Sequence, residues 1–548
     1  MRHFFITILL TILSVTSIFA KGDRNSDIVK NLDIYNALYK ELDMYYVDSI
    51  QPEKLIKTSI DRMLSSLDPY TVYLPEEDMN DFKFLTTGEY GGIGAVIMKK
   101  NDYVVISEPY EGMPAQKADL HAGDIILKID GEDMKGKNTQ DVSEKLKGTP
   151  NTTVKITISR PGKKKSFDVE VTREKIQINP VTYYGVVGDK IGYINLSSFT
   201  SKSSDEVRKA FLTLKKENQI ESLILDLRNN GGGILDEAVN IINFFVDKGV
   251  TVVSTKGKIP NWDKTYTTTK NPIDTKIPLV ILVNENSASA SEIVTGALQD
   301  LDRAVIIGNR TYGKGLVQST RPLPYGGNLK VTIAKYYIPS GRLIQEIDYS
   351  QKNSNGKSTS IPDSLTHEFK TKNGRIVRDG RGINPDITVK EDTSAFIMYK
   401  LTNDLIIFDY VTEYCLKHDH IGSIDKFVFT DEDFNNFVAY VKSKDIKYEL
   451  KSPEYLKRFK DLVTLEGYDN VISEELKAIE EKLKPDLDHD LLAGKKDLCE
   501  LLSIEIVERY YHHKGAIKQS LKNDKTVDKA IETLKNIDEY NKILGNNK

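Results

Sequence analysis

Cysteine is almost absent. The 548 residues hold two, Cys415 and Cys499, too few and too far apart for a disulfide framework or a cysteine metal cluster, and free either to pair or to stay reduced. Neither lies near the N-terminus, which excludes an acylated-cysteine anchor. Histidine is scarce as well: there are eight in all and none between residues 192 and 339. No His-Glu-x-x-His or Cys-x-x-Cys occurs, so the familiar zinc patterns are missing. An excess of one charge is also lacking, since 76 basic side chains face 80 acidic ones for a net charge of -4. No global field for nucleic acid or an anionic membrane follows. The one long apolar run opens the chain, from Phe4 to Leu13 behind Arg2 and His3, and continues with small interruptions to Ala20. It is short for a membrane span of about 20 residues, it has a positive flank, and Ala20 precedes polar Lys21-Gly22-Asp23. This reads as a signal peptide over 1–20, leaving a mature form without a transmembrane span; an uncleaved anchor is the alternative.

What is present divides into stretches of different period. Ile28, Leu32, Tyr35, Leu38, Tyr39, Leu42 and Tyr46 recur at helical spacing, and Pro52 at a first helical position opens another helix. These predict a helical unit over 25–87, with Asp68-Pro69 as a helix breaker. Over 88–175 the period becomes two, as in Val154, Ile156 and Ile158, with a central strand at 124–129 and one amphipathic helix at 139–146. Over 176–390 strands at 223–227, 279–283 and 304–307 alternate with helices at 204–215, 235–245 and 291–299, the pattern of an α/β core. An exposed loop interrupts it near 347–375. The stretch 391–548 is helical, charged and aromatic. The fold class is α+β multidomain.

Three segments of the α/β core have chemical potential. Asn284-Glu285-Asn286-Ser287-Ala288-Ser289-Ala290-Ser291-Glu292 lies between a buried strand and a helix. Such a turn exposes a hydroxyl beside the free amides of a helix start, which can stabilise an oxyanion; Ser289 followed by Glu292 is equally a capping box. Arg228-Asn229-Asn230-Gly231-Gly232-Gly233 follows another strand and can bring bare amides to a ligand or serve as a plain turn. Tyr312-Gly313-Lys314-Gly315 follows a third. A lysine between glycines is free to point inward or to remain a surface charge. A lysine that works as a base near neutrality must lose about three pKa units, about 4 kcal/mol, which calls for a buried pocket. The run 308–314 fits P-loop spacing, but Gly315 stands where a P-loop needs Ser or Thr. With no histidine in the core, a Ser-His-Asp triad built there is excluded and lysine is the available base.

Together these residues resemble the carboxy-terminal processing peptidases, or tail-specific proteases, whose hallmark is Ser-Ala-Ser-Ala-Ser-Glu followed by Phe/Tyr-Gly-Lys-Gly and a nearby glutamine. The resemblance implies a serine endopeptidase with Ser289 as nucleophile, Lys314 as general base and Gln318 in support, with Asp300 at the acidic position of the intervening helix. It implies an oxyanion hole from the Ala290 amide and one amide of residues 231–233, with Gly232 and Gly233 the candidates. Upstream, Tyr90-Gly91-Gly92-Ile93-Gly94-Ala95 and Leu120-His121-Ala122-Gly123-Asp124-Ile125-Ile126 look like a PDZ domain, with Gly92, Ile93 and Gly94 as its carboxylate-binding loop. The implied architecture is an N-terminal helical unit, a PDZ-like domain, a crotonase/ClpP-like α/β catalytic core and a helical C-terminal domain. No metal or organic cofactor is implied. The implied partners are proteins or peptides with accessible C-terminal tails; a homo-oligomer or an adaptor protein stays open, as does the choice between periplasm or cell envelope and secretion. The resemblance runs from about residue 28 to 389, and the helical tail has no counterpart in the shortest family members. A non-catalytic scaffold and a crotonase-type acyl-CoA enzyme are the rival readings.

Overall fold

The computed structural model describes residues 24–351, 358–390 and 395–546. The run read as a signal peptide lies outside the described residues. Helices α1 (Arg24–Tyr45) and α2 (Pro52–Ser65) form where apolar spacing and Pro52 predict them. With strand β1 (Val72–Leu74) and residues 320–331 they make one compact unit. In it Val72 pairs with Lys330 in antiparallel register. Helix α1 buries none of its residues, and Ile28, Leu32, Leu38 and Leu42 are all exposed.

A second unit holds the remaining described residues. It begins before helix α3 (Met79–Thr87), so the unit expected to run to residue 87 ends at Leu74 in packing. The β-rich domain follows with β2 (Glu89–Gly92), β3 (Ala95–Lys100), β4 (Tyr103–Pro109), β5 (Ile125–Ile129), β6 (Glu132–Asp133), β7 (Thr153–Ser159), β8 (Phe167–Thr172) and β9 (Glu174–Gln177). Its sheet has the order β3-β4-β5-β7-β8, with β6 beside β5, while β2 pairs with β9. The short helix α4 (Pro114–Lys117) and the helix α5 (Thr139–Leu146) complete it. Asn138 and Asp141 cap α5 reciprocally, which sets its first turn. The alternating Val154, Ile156 and Ile158 face inward onto Val104, Ile106 and Ile126, so the period of two is the signature of one buried face.

The α/β core is a six-stranded sheet made of β10 (Val181–Val187), β11 (Ile191–Leu196), β12 (Ser222–Asp226), β15 (Leu279–Val283), β16 (Val305–Gly308) and β21 (Ile387–Thr388), adjacent in that order. The strands from β11 onward are parallel and β10 is antiparallel at the edge. Strands β13 (Thr251–Gly257) and β14 (Lys264–Thr267) pair outside this sheet. Strands β17 (Leu316–Pro322) and β18 (Asn328–Tyr337) also pair with each other, and Tyr337 of β18 stands opposite Ser254 of β13. The loop expected near 347–375 carries structure of its own, the hairpin β19 (Glu368–Lys370) and β20 (Ile376–Arg378). Helices α6 (Ser203–Glu217), α7 (Leu235–Ile242) and α8 (Ala290–Asp300) cover one face of the sheet, burying Leu223, Leu225, Ile281 and Ile306.

The opposite face is covered from the far end of the chain. Helices α9 (Phe396–Asn403), α10 (Ile406–Lys417), α11 (Asp431–Lys442), α12 (Ser452–Leu465), α13 (Ser473–Lys482), α14 (Leu487–Ala493) and α15 (Lys495–Ser520) follow the core, with a cluster of their own around Leu401, Val411, Phe437 and Leu502. Cys415 and Cys499 lie there as free, half-buried thiols. Helices α16 (Lys525–Lys535) and α17 (Ile537–Ile543) instead lay Val527, Ala530, Leu534 and Tyr540 on Ile224, Val280, Leu282 and Ile307. The last two helices are therefore the second layer of the core, although in sequence they read as the end of a helical domain that starts at 391. Burial of both faces explains why β12, β15 and β16 are continuous apolar runs without alternation. Among the described residues no helix is long and apolar enough to cross a membrane.

The Tyr540 hydroxyl accepts from the Leu279 N–H at 2.9 Å and donates to the Leu279 carbonyl at 3.2 Å. Tyr540→Phe leaves both groups buried without this partner. It is expected to lower stability by about 1–3 kcal/mol, read from the midpoint of a denaturant titration, and an unchanged midpoint would show that these helices do not hold the sheet.

Candidate active site

The parallel strands β12, β15 and β16 point their C-terminal ends the same way, so the three loops singled out in the sequence emerge side by side, where open α/β sheets bind ligands. Side chains then stitch the loops together. The Asn229 N–H donates to Asn284 Oδ1 and Asn284 Nδ2 donates to Asn229 Oδ1, both at 2.9 Å. Asn230 is fully buried; its Nδ2 donates to the Leu196 carbonyl at 2.7 Å, and its own carbonyl accepts from the Ala288 N–H at 3.0 Å.

The serines of the 287–291 run separate by what their hydroxyls do. Ser287 Oγ donates to the Leu227 carbonyl and Ser291 Oγ to the Asn230 carbonyl, each at 2.8 Å, and both residues are fully buried. They are staples between two loops. Ser289 is half-buried, its side chain faces the backbone of Glu292 in a capping box, and its hydroxyl donates to no protein acceptor among the described residues. Its backbone is at φ 57°, ψ −112°, a region that costs a non-glycine residue on the order of 1–3 kcal/mol and survives only where its surroundings enforce it. The enforcing contacts are the Ser289 N–H donating to Glu292 Oε2 at 2.8 Å and the Ser289 carbonyl accepting from the Ile293 N–H at 2.9 Å. Ser289 is thus both the N-cap of α8 and a strained, accessible hydroxyl, so the two sequence readings are compatible.

Glu292 joins the nucleophile turn to the lysine loop. It is fully buried. Its Oε1 accepts from Thr311 Oγ1 at 2.6 Å and the Gly313 N–H at 2.7 Å, and its Oε2 accepts from the N–H groups of Ser289 and Lys314, both at 2.8 Å. Burial pushes its carboxyl above the usual range, against the pull of these four donors. Tyr336, also buried, mirrors this on the carbonyl side: its hydroxyl donates to the Lys314 carbonyl at 2.6 Å and lies 3.2 Å from the Ser289 carbonyl. One oxygen therefore gathers the N–H groups of Ser289 and Lys314 and another gathers their carbonyls.

The glycines beside Lys314 serve close packing. A Cβ on Gly313 would fall 2.6 Å from Glu346 Cβ, and one on Gly315 would fall 2.9 Å from the Gln345 N. The freedom expected of this loop is therefore absent, and the glycines let its backbone lie against residues 345–346. Gly232 acts likewise, since a Cβ there would sit 2.8 Å from Ser289 Cβ and from the Ala290 N. Its N–H already donates to Asn230 Oδ1 at 2.9 Å. Gly232 thus contributes the space beside Ser289, while the Gly233 and Ala290 amides have no protein acceptor among the described residues.

Two further candidates make contacts of their own. Gln318 is on β17, its Nε2 donating to Thr332 Oγ1 at 3.2 Å. Asp300 ends α8, eleven residues and about 16 Å of helical rise from Ser289. There it accepts from the Ser340 N–H at 3.0 Å and pairs with buried Arg342 at 2.9 Å. Burial pushes its carboxyl up and Arg342 opposes the rise. Asp300 anchors the turn after β18 and is not brought to Ser289. Among the described residues, Glu108, Glu508 and His513 form the one grouping able to offer a cation three ligand atoms. It lies between the β-rich and helical domains, where burial and Glu508 push Glu108 up to about 6.

In the β-rich domain, Gly94 takes φ +72° and a Cβ there would meet Met113 Cβ at 2.6 Å. The Ile93 carbonyl accepts from the Ala115 N–H at 2.7 Å and the Gly94 carbonyl from the Tyr110 N–H at 3.0 Å, turning the loop over the head of the edge strand β3. Beside it an apolar groove of about 200 Å³ runs between β3 and α5, lined by Ile93, Ala95, Ile97 and Leu146 with Phe84 and Tyr90 at its wall. Phe84 stands edge-on to Tyr90, ring centroids 5.2 Å apart.

An α/β core with a strained serine at a helix start, a lysine loop and a PDZ domain defines a serine peptidase with a peptide-binding module. Residues 190–352 match peptidase family S41, residues 105–160 a PDZ domain, and residues 397–534 the C-terminal helical domain of probable PDZ-proteases. The chain is 36% identical over 412 residues to a probable CtpA-like serine protease of Staphylococcus aureus (strain N315), covering 74% of this chain and 80% of that protein. It is also 36% identical over 339 residues to a carboxy-terminal-processing protease of Bartonella bacilliformis, covering 61% and 77%. The solved photosystem II D1 C-terminal processing protease aligns over 64% of this chain and 86% of its own, at 29% identity and a TM-score of 0.35. The chain belongs to peptidase family S41, the carboxy-terminal processing serine proteases. The acyl-CoA reading and the purely scaffolding one are set aside.

The residues missed as site members are Glu292, Asn230, Thr311 and Tyr336. Glu292 was visible as a cap and as the end of the Ser-Ala-Ser-Ala-Ser-Glu run but was given no role, and nothing local marks the other three. Glu292→Gln replaces one acceptor oxygen with a donor group that faces N–H groups, leaving buried donors unpaired at about 1–3 kcal/mol each. It is expected to lower the melting temperature and to cut peptidase activity by at least about 100-fold. Wild-type turnover in a folded Glu292→Gln protein would show that the two loops hold their places without it.

Proposed function

We propose that the chain cleaves exported proteins near their C-terminal tails, with Ser289 as nucleophile and Lys314 as general base. The observation that carries this reading is the single carboxylate oxygen shared by the N–H groups of Ser289 and Lys314. It keeps the two backbones within two hydrogen-bond lengths of each other, and the family assigns its serine and lysine to these motif positions. Lys314 Nζ takes the Ser289 hydroxyl proton as Oγ attacks the scissile carbonyl carbon. The resulting oxyanion is stabilised by the Ala290 amide at the positive end of α8 and by the amide of Gly233. Collapse of this intermediate breaks the C–N bond, and the leaving amine takes the proton held by Lys314. Water then adds to the acyl carbon as Lys314 takes its proton; the bond from that carbon to Oγ breaks, and Oγ takes the proton back from Lys314, which restores both residues. Gln318 supports the lysine side of this exchange. The steps use side chains, backbone amides and water.

In this reading the substrate tail adds as a strand at the open edge of β3, its terminal carboxylate on the amides of the 92–94 loop and its last side chain in the apolar groove against α5. The apolar lining of that groove favours tails ending in an apolar residue. The apolar N-terminal run, read as an export signal, places the mature enzyme in the periplasm or cell envelope, or in the secreted fraction.

Ser289→Ala and Lys314→Ala are each expected to abolish cleavage of an unfolded substrate with an apolar C-terminus while its affinity changes less than about threefold. Measurable turnover in either variant overturns the dyad. Amidation of the terminal carboxylate of a tail peptide should weaken its binding at least about 10-fold, measured by fluorescence anisotropy, because the loop amides then lose a charged acceptor. Equal binding of the two peptides would remove the 92–94 loop from tail capture.

A further inference from the structure

The loop that carries Gly232 and Gly233 begins at Arg228, and this arginine is held both from the strand end just before it and from a part of the chain 296 residues away. Asp226, at the end of β12 and 1% exposed, takes Arg228 Nη2 at 2.6 Å on Oδ2, and its Oδ1 accepts from the Arg228 N–H at 2.9 Å. The Tyr193 hydroxyl donates to the same Asp226 Oδ2 at 2.7 Å. The second holder is Asp524, which accepts from Arg228 Nη2 at 2.7 Å. Asp524 belongs to the C-terminal region and is the N-cap of α16, the helix that roofs the catalytic sheet. Its two oxygens divide the work: Oδ1 accepts from the N–H groups of Thr526 at 2.9 Å and Val527 at 3.1 Å, and Oδ2 accepts from Arg228.

Ionic contact and packing together locate this arginine. A cavity of about 360 Å³ lies against Arg228 and Asp524, with Met398, Leu501 and Asn523 among its walls, and the two ion-pair partners keep 18% and 16% of their side-chain surface exposed. Past Arg228 the chain turns through Asn229 at φ +58° into buried Asn230, which is bonded to the nucleophile turn. Only three residues separate Arg228 from Gly232, whose space is bounded by Ser289 Cβ. A short, hydrogen-bonded stretch thus joins Arg228 to the amides beside the nucleophile.

We propose that Asp524 is a positioning residue for the oxyanion loop, so that the C-terminal helices set the rate of acyl transfer through Arg228. The inference rests on the dyad reading above and gives the helical C-terminal region a task in the reaction itself.

The two oxygens of Asp524 allow charge and cap to be separated. Asp524→Asn keeps an N-cap as good as aspartate but presents an NH₂ group to the guanidinium. It is expected to lower kcat about 10-fold, with KM and tail-peptide affinity within twofold and the melting temperature close to wild type. Asp524→Glu keeps the charge but is a poorer cap, so it should lower the melting temperature while keeping kcat within about threefold. A merely structural role for Asp524 would make the glutamate variant the slower of the two. Either that order, or an unchanged kcat in Asp524→Asn while Ser289→Ala is inactive, overturns the inference alone. Cleavage by Ser289→Ala overturns the dyad reading and this inference with it.

Discussion

The site depends on one carboxylate. Glu292 is taken out of water completely, and an isolated carboxylate so placed would shed its charge. It is held by four donors drawn from two loops that are about twenty residues apart in sequence, one end of each being a backbone N–H of the proposed dyad. The same contacts keep Ser289 in a backbone conformation that a serine would otherwise leave. Stability and reactivity are therefore coupled here, because the group that closes the fold around α8 also aims the hydroxyl.

Around this tie the architecture is a sheet with two roofs. Helices α6, α7 and α8 come from the connections between strands, as parallel topology requires. The other roof comes from α16 and α17, some 140 residues after the last core strand. The active-site sheet thus cannot be completed until the C-terminal end has been made and docked. The helical C-terminal region is not an appendage, because its last two helices are part of the catalytic core and Asp524, the cap of α16, reaches the loop after β12.

Much of this was legible in the chain itself. The strand at 279–283 and the helix at 139–146 lie where apolar patterning and capping put them, the strand because both of its faces are buried and the helix because one of its faces is. The Ser-Ala-Ser-Ala-Ser-Glu and Tyr-Gly-Lys-Gly runs brought the family into view. What remained hidden was of two kinds. The roles of Asn230, Thr311 and Tyr336 come from hydrogen bonds between segments far apart in sequence, and no local pattern encodes them. The reason for the glycines around Lys314 was misread as freedom, because close approach of residues 345–346 is invisible along the chain.

The sequence alone therefore determined the periods, the caps, the absence of a core histidine and the spacing of the serine and lysine motifs, all of which are local properties of the chain. Only the tertiary structure decided which of the serines is left unspent, which glycine gives space and which retains a free amide, and that Asp300 belongs to Arg342 and not to Ser289. Those outcomes rest on directed contacts whose donors and acceptors meet only after the sheet has brought three loop ends together and the last two helices have closed over its other face.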